Sequence, residues 1–154
     1  MKVLLQRVTG ASVSIDGKVV GKIEQGMVAF VGVAEGDSET DIDYLVPKMI
    51  GLRIFADDEG RFNISVGDIG GELLLVSQFT LLADTRKGKR PSFTGAAAPE
   101  QAELLFDKFV EKTRATGLKV ETGRFQQYMQ VEIHNDGPVT IMLDSRDRLR
   151  SRRE

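Results

Sequence analysis

Residues 72–82, ELLLVSQFTLL, decide how this chain is read. They are rich in leucine and predict a strand running from Glu72 to Leu82. Downstream, residues 83–98 turn polar, then basic, then small, the composition of a long loop. Pro99 suits the first position of a helix, and Ala102, Leu105, Phe106, Phe109 and Val110 follow at helical spacing until Gly117 supplies the stop. Residues 118–122, 127–133 and 138–144 read as three short strands. Upstream, Gly67, Gly70 and Gly71 break the chain, Asp57 to Gly60 is a turn and residues 51–56 are a short strand. Glu35, Asp37, Glu39, Asp41 and Asp43 open a helix capped by Ser38, where acids oppose the positive end of the helix dipole. Its inner face is Ile42, Leu45, Val46 and Met49, and Pro47 should kink or shorten it. Residues 27–34, MVAFVGVA, are continuously apolar and predict a strand buried on both faces. Residues 12–23 form a hairpin turning at Asp16-Gly17, and residues 2–8 are a first strand.

About eight strands in series with two helices and few crossovers predict an α+β fold with a mainly antiparallel sheet or barrel-like core. No linker composition divides the 154 residues, so residues 1–145 are read as one domain and the arginine-rich residues 146–154 as a mobile basic tail. With 41% hydrophobic and 29% charged residues, the composition is that of a globular protein. The formal net charge of −2 excludes a surface that grips nucleic acid everywhere, though not a local basic patch. The absence of cysteine removes disulfides, thiolate metal sites and thiol nucleophiles, and one histidine removes a multi-histidine metal site. Neither a membrane-spanning run nor a signal-peptide cleavage site is present, so a cytoplasmic location is the expectation.

Three segments carry candidate chemistry. Ser77-Gln78-Phe79-Thr80 places two hydroxyls and an amide among leucines. The plain reading is a strand with Phe79 inward; the functional one is that polar groups buried there need partners, and a substrate supplies them. Asn135-Asp136-Gly137-Pro138-Val139-Thr140 reads by composition as a hairpin turn. A cis Gly-Pro bond there would set two carbonyls side by side as a rigid polar wall. Arg86, Lys87, Lys89 and Arg90 precede Phe93 and read either as a solvated loop or as a phosphate-binding patch with an aromatic for a base. His134 is read as a strand-end residue.

MKVLLQRV at the start, LLLVSQFTLLADTRKGKRPSF in the middle and NDGPVT near the end resemble the D-aminoacyl-tRNA deacylase family. Its SQxT motif is matched by Ser77 to Thr80 and its NxGPxT motif by Asn135 to Thr140, in order, over nearly the whole chain. Pro47 and the arginine-rich tail depart from the pattern but touch neither motif. The resemblance implies a homodimer with active sites at the interface and no cofactor. It implies that Gly137-Pro138 is cis and projects into the other subunit's pocket, that Arg7 holds that dipeptide, and that the SQFT segment lines the pocket for the aminoacyl group and terminal adenosine. The implied reaction is hydrolysis of the ester joining a D-amino acid to tRNA, with L-aminoacyl-tRNA rejected by the wall and glycyl-tRNA admitted because glycine has no side chain to clash. Such an ester is activated by its α-ammonium group, so backbone N–H groups near Ser77–Phe79 and the neighbouring ribose hydroxyl suffice to direct water. A Thr80 nucleophile would need an adjacent base, and His134 lies on another segment. The alternatives are a non-catalytic RNA-binding module using residues 86–90, and a hydrolase of free D-amino-acid esters or peptides.

Overall fold

A computed structural model describes residues 1–152 of the chain. In chain order it runs β1 (Lys2–Ile15), β2 (Lys18–Ile23), β3 (Gly26–Gly32), α1 (Glu39–Gly51), β4 (Phe55–Ala56), β5 (Phe62–Ile64), β6 (Glu72–Ser77), α2 (Pro99–Arg114), β7 (Val120–Thr122) and β8 (Gln130–Asp144), with short 3₁₀ turns at Phe79–Leu82 and Ser145–Leu149.

The first strand is one element of 14 residues rather than two shorter ones. Along one edge it pairs with β8 over nearly its full length. Along the other it pairs with β3 through Lys2–Val8 and with β2 through Ala11–Ile15. The β1–β2 hairpin turns at Asp16 (φ 51) and Gly17 (φ 78), the paired left-handed conformation that Asp-Gly tolerates.

The α+β class stands, and β1 pairs antiparallel with β2, β3 and β8, but the sheet is mixed. β3 pairs with β6 in parallel, and β6 with β7 in parallel. Each parallel pair needs a crossover, and α1 and α2 supply them. Strand β2 then comes back against β7: a Cβ added to Gly21 would lie 2.6 Å from the Thr122 carbonyl oxygen, so only glycine allows the near-closure of the barrel.

The reason β3 and β6 are apolar at successive positions is that they separate two cores. Met27, Ala29, Val31, Leu73 and Leu75 face the larger core, with Leu45 and Met49 of α1 and Phe106 and Phe109 of α2. Val28, Leu74 and Val76 face the smaller one inside the barrel, with Val8, Val13 and Ile23. A strand wet on one face would alternate; these have no wet face.

Several boundaries differ from the expected ones. The strand from Glu72 ends at Ser77, and Phe79–Leu82 coil into a 3₁₀ turn. Residues 51–56 shrink to the two-residue strand β4, because α1 continues through Pro47 to Gly51. The last two expected strands are one, β8, interrupted by an excursion. The tail is not loose at its start: its first four residues, 146–149, complete a 3₁₀ turn that begins at Ser145. There the buried Ser145 hydroxyl donates to Asp41 Oδ1 at 2.7 Å, and Arg148 lies 3.4 Å from the same carboxylate. The remainder of the arginine-rich segment lies partly outside the described residues.

Candidate active site

The excursion in β8 is built opposite Arg7. Gln6 pairs with Thr140 and Val8 with Asn135, so one residue on β1 faces four on β8, residues 136–139. The surplus residues must leave the sheet. At the tip the Gly137-Pro138 bond is cis, Gly137 has φ 133, and both residues are exposed.

Each remaining motif residue braces this loop. Asn135 Oδ1 accepts from the Val139 N–H at 2.9 Å, closing the base of the loop. Thr140 Oγ1 accepts from Asn135 Nδ2 at 3.0 Å and from Gln6 Nε2 at 3.3 Å. Arg7 Nε donates to the Asp136 carbonyl at 3.0 Å, and its Nη1 donates to the Ile54 carbonyl at 2.7 Å. The guanidinium also lies 5.2 Å from the Phe62 ring centroid. A side chain on Gly137 would press on Arg7 Nη2 and Val139, and its φ is one that L residues rarely adopt. Ile54 and Phe62 join this brace although nothing in their local sequence relates them to Arg7.

The second motif sits at the mouth of a cavity of about 910 Å³. Ser77 closes β6, and the Gln78 N–H still donates to Val31 O at 2.8 Å before the chain turns away. The Phe79 and Thr80 N–H groups open the 3₁₀ turn and meet no acceptor among the described residues. Gln78 Nε2 donates to Thr80 Oγ1 in a short contact. Phe79 is 55% exposed, not inward, and its ring meets Phe93 edge-on at 5.0 Å. The cavity wall includes Ser77, Gln78, Phe79, Phe93, Phe125 and Met129, with Ala96, Ala97 and Ala98 at the entrance to α2. The alanines leave the space that larger side chains would fill. Residues 127–129, expected to begin a strand, precede β8 and form part of this wall instead.

The basic segment is a closed loop between the two aromatics. Asp84 and Ser92 exchange backbone hydrogen bonds at 2.7 and 2.9 Å. Within it Arg86 forks onto Asp84 at 2.9 and 2.7 Å. Those side-chain bonds, with the Arg86 N–H, pull the Asp84 carboxyl down to about 2. Arg86 therefore organises the loop, whereas Lys87, Lys89 and Arg90 are exposed cations with no ion-pair partner among the described residues.

Within one chain the two motifs do not meet. The cavity wall contains no residue from the Asn135–Thr140 loop. His134 is exposed in mid-strand on β8, beside Glu132, and is not part of the cavity.

A two-core mixed barrel with a braced Gly-Pro loop on one edge and an aromatic cavity on another defines a narrow class of small α+β proteins, and comparison identifies it. Residues 4–144 match the D-Tyr-tRNA(Tyr) deacylase family, and the chain belongs to that family. A D-aminoacyl-tRNA deacylase of Dehalococcoides mccartyi is 57% identical over 152 residues, covering 99% of both chains. The protein of the same description from Fervidobacterium nodosum is 53% identical over 146 residues, covering 95% of this chain and 98% of that one. Among solved structures, the c-Myc DNA Unwinding Element Binding Protein superposes with a TM-score of 0.89 at 41% identity, over 94% of this chain and 98% of that one. A structure described as a probable eukaryotic D-amino acid tRNA deacylase shares the fold, with a TM-score of 0.79 at 18% identity, over 92% and 97% of the two chains.

Proposed function

We propose that this chain is a D-aminoacyl-tRNA deacylase: a hydrolase that cleaves the ester between a D-amino acid and the terminal ribose of tRNA. The observation that carries the reading is the acceptor-free Phe79 N–H in the wall of an aromatic cavity, with the acceptor-free Thr80 N–H next to it in the same turn. The terminal adenosine and the aminoacyl group occupy that cavity. Water adds to the ester carbonyl, and the oxyanion that develops is held by those N–H groups. The C–O bond to the ribose then breaks, and the proton from water passes to the leaving ribose oxygen. The neighbouring ribose hydroxyl orients the water. A threonine nucleophile is disfavoured, because among the described residues the side-chain partner of Thr80 is the Gln78 amide, which is no base.

Selectivity comes from the loop at Gly137-Pro138, supplied by a second copy of the chain. Three features favour that arrangement: the loop is exposed, it does not line its own cavity, and among the described residues β8 pairs with β1 on one edge and has no strand on the other. Held between Arg7 and Asn135, the loop presents a surface that cannot retreat. An L side chain meets it; a D side chain points away; glycine offers nothing to reject, so glycyl-tRNA is a second substrate. Rejecting L by 10⁴ takes about 5.5 kcal/mol. Lys87, Lys89 and Arg90 flank the cavity through Phe93 and meet tRNA phosphates. No helix among the described residues is long and apolar enough to cross a membrane, and the enzyme is proposed to work in the cytoplasm with its tRNA substrates.

The test is deacylation of D-tyrosyl-, L-tyrosyl- and glycyl-tRNA by purified protein, with sedimentation to give the oligomeric state. Hydrolysis of the D and glycyl esters by a dimer is expected. Equal rates on D and L, or an active monomer, would refute the shared gate. Binding of nucleic acid without hydrolysis would instead support a non-catalytic role.

A further inference from the structure

We propose that Tyr128 is a stacking platform for the base immediately 5′ of the terminal adenosine, a nucleotide subsite at the rim of the catalytic cavity. This rests on the deacylase reading for the identity of the strand that enters the cavity.

The chain has two tyrosines and no tryptophan. Tyr128 is 95% exposed although it belongs to the cavity wall, and its side chain makes no hydrogen bond or ring contact among the described residues. An aromatic side chain normally buries most of its surface. Here the backbone holds it out. Met129, the next residue, points inward: its sulfur accepts from the Arg124 N–H at 3.4 Å and lies over Gly123, where any Cβ would collide with it. The Gln127 N–H closes a turn onto the Arg124 carbonyl at 3.3 Å. Gln126 has φ 60, a left-handed conformation that is costly for a residue with a Cβ. With Met129 anchored below and Gln126 reversing the chain, the Tyr128 ring stands at the rim.

Phe79, Phe93 and Phe125 already supply aromatic surface inside the cavity. A single-stranded RNA end whose last nucleoside enters must cross the rim with its preceding base unstacked. An exposed ring takes any base by its face, and the exposed cation Arg124 in the same turn suits the phosphate between the two nucleosides.

The experiment uses Tyr128→Trp, which places the sole tryptophan of the chain at the rim. Its fluorescence is titrated with the trinucleotide CCA and with adenosine alone. Quenching by CCA and not by adenosine is expected. In parallel, Tyr128→Ala should raise KM for D-tyrosyl-tRNA about tenfold with kcat little changed, while Tyr128→Phe stays within about twofold of the parent. With D-tyrosyl-adenosine, which lacks the preceding nucleotide, Tyr128→Ala should raise KM by much less than it does with the tRNA. The proposal is overturned if CCA fails to quench, or if adenosine quenches equally and KM rises equally on D-tyrosyl-adenosine. Quenching by CCA with a parent protein that hydrolyses neither substrate would uphold the subsite and refute the deacylase reading.

Discussion

Replacing Arg7 with lysine separates the charge of that side chain from its reach. The guanidinium joins two segments, donating to Asp136 O on β8 at 3.0 Å and to Ile54 O ahead of β4 at 2.7 Å. A hydrogen bond from a charged donor contributes about 1.5–3 kcal/mol. Lysine keeps the charge but brings a single ammonium that cannot serve both carbonyls. One bond is lost, so the loop should loosen by about 1.5–3 kcal/mol, roughly 10- to 150-fold in its equilibrium. If the loop is the gate, that loss comes out of the roughly 5.5 kcal/mol that a 10⁴ discrimination requires. The expected result is that kcat/KM for L-tyrosyl-tRNA rises about 10- to 100-fold while that for D-tyrosyl-tRNA changes less than about threefold. Urea unfolding on the same samples measures the stability change. A variant that loses about 2 kcal/mol of stability yet keeps the parental L-to-D ratio would refute the reasoning, because Arg7 would then brace the fold and not the selection.

Three further outcomes are expected. Thr80→Ala removes the hydroxyl that accepts from Gln78 and should retain most deacylase activity; complete loss with folding and binding intact would restore a covalent mechanism. Replacing Lys87, Lys89 and Arg90 together with alanine should flatten the plot of log KM against log salt by about 2, at ~0.7 for each phosphate no longer neutralised, and an unchanged slope would remove this loop from the tRNA path. Burial pushes the Asp41 carboxyl up, but the Ser145 hydroxyl, the Ser38 N–H, the terminal ammonium and Arg148 outweigh it and hold the carboxyl below its usual range. The stability it contributes should therefore be full above pH about 4 and be lost as pH falls through the depressed folded value, a loss that urea melts would show in the parent and not in Asp41→Asn.

Helix α2 was legible because Pro99 and Gly117 mark its ends and its apolar spacing has one period. The Asp16-Gly17 turn was legible because few dipeptides accept two left-handed residues. The end of β6 was not: Phe79-Thr80-Leu81-Leu82 has the composition of a continuing strand, and it coils instead against Gly32, whose missing Cβ leaves the space the turn occupies. A Cβ on Gly32 would meet Leu82, Gln78 and Leu81 within 3.0 Å. The continuity of β8 was hidden for a similar reason, since Asn-Asp-Gly-Pro ends a strand by local preference and continues here because β1 holds both sides of the excursion.

The two motifs, their order and the residues that compose them belong to the sequence, since short-range chemistry such as an asparagine reaching its own loop is encoded in spacing. Parallel pairing, the partners of Arg7 and the distance between the Gly-Pro loop and the cavity came only with the tertiary structure. Those depend on which distant segments become neighbours, and that is settled by burying two cores at once on the faces of β3 and β6, a condition no local stretch of residues can express.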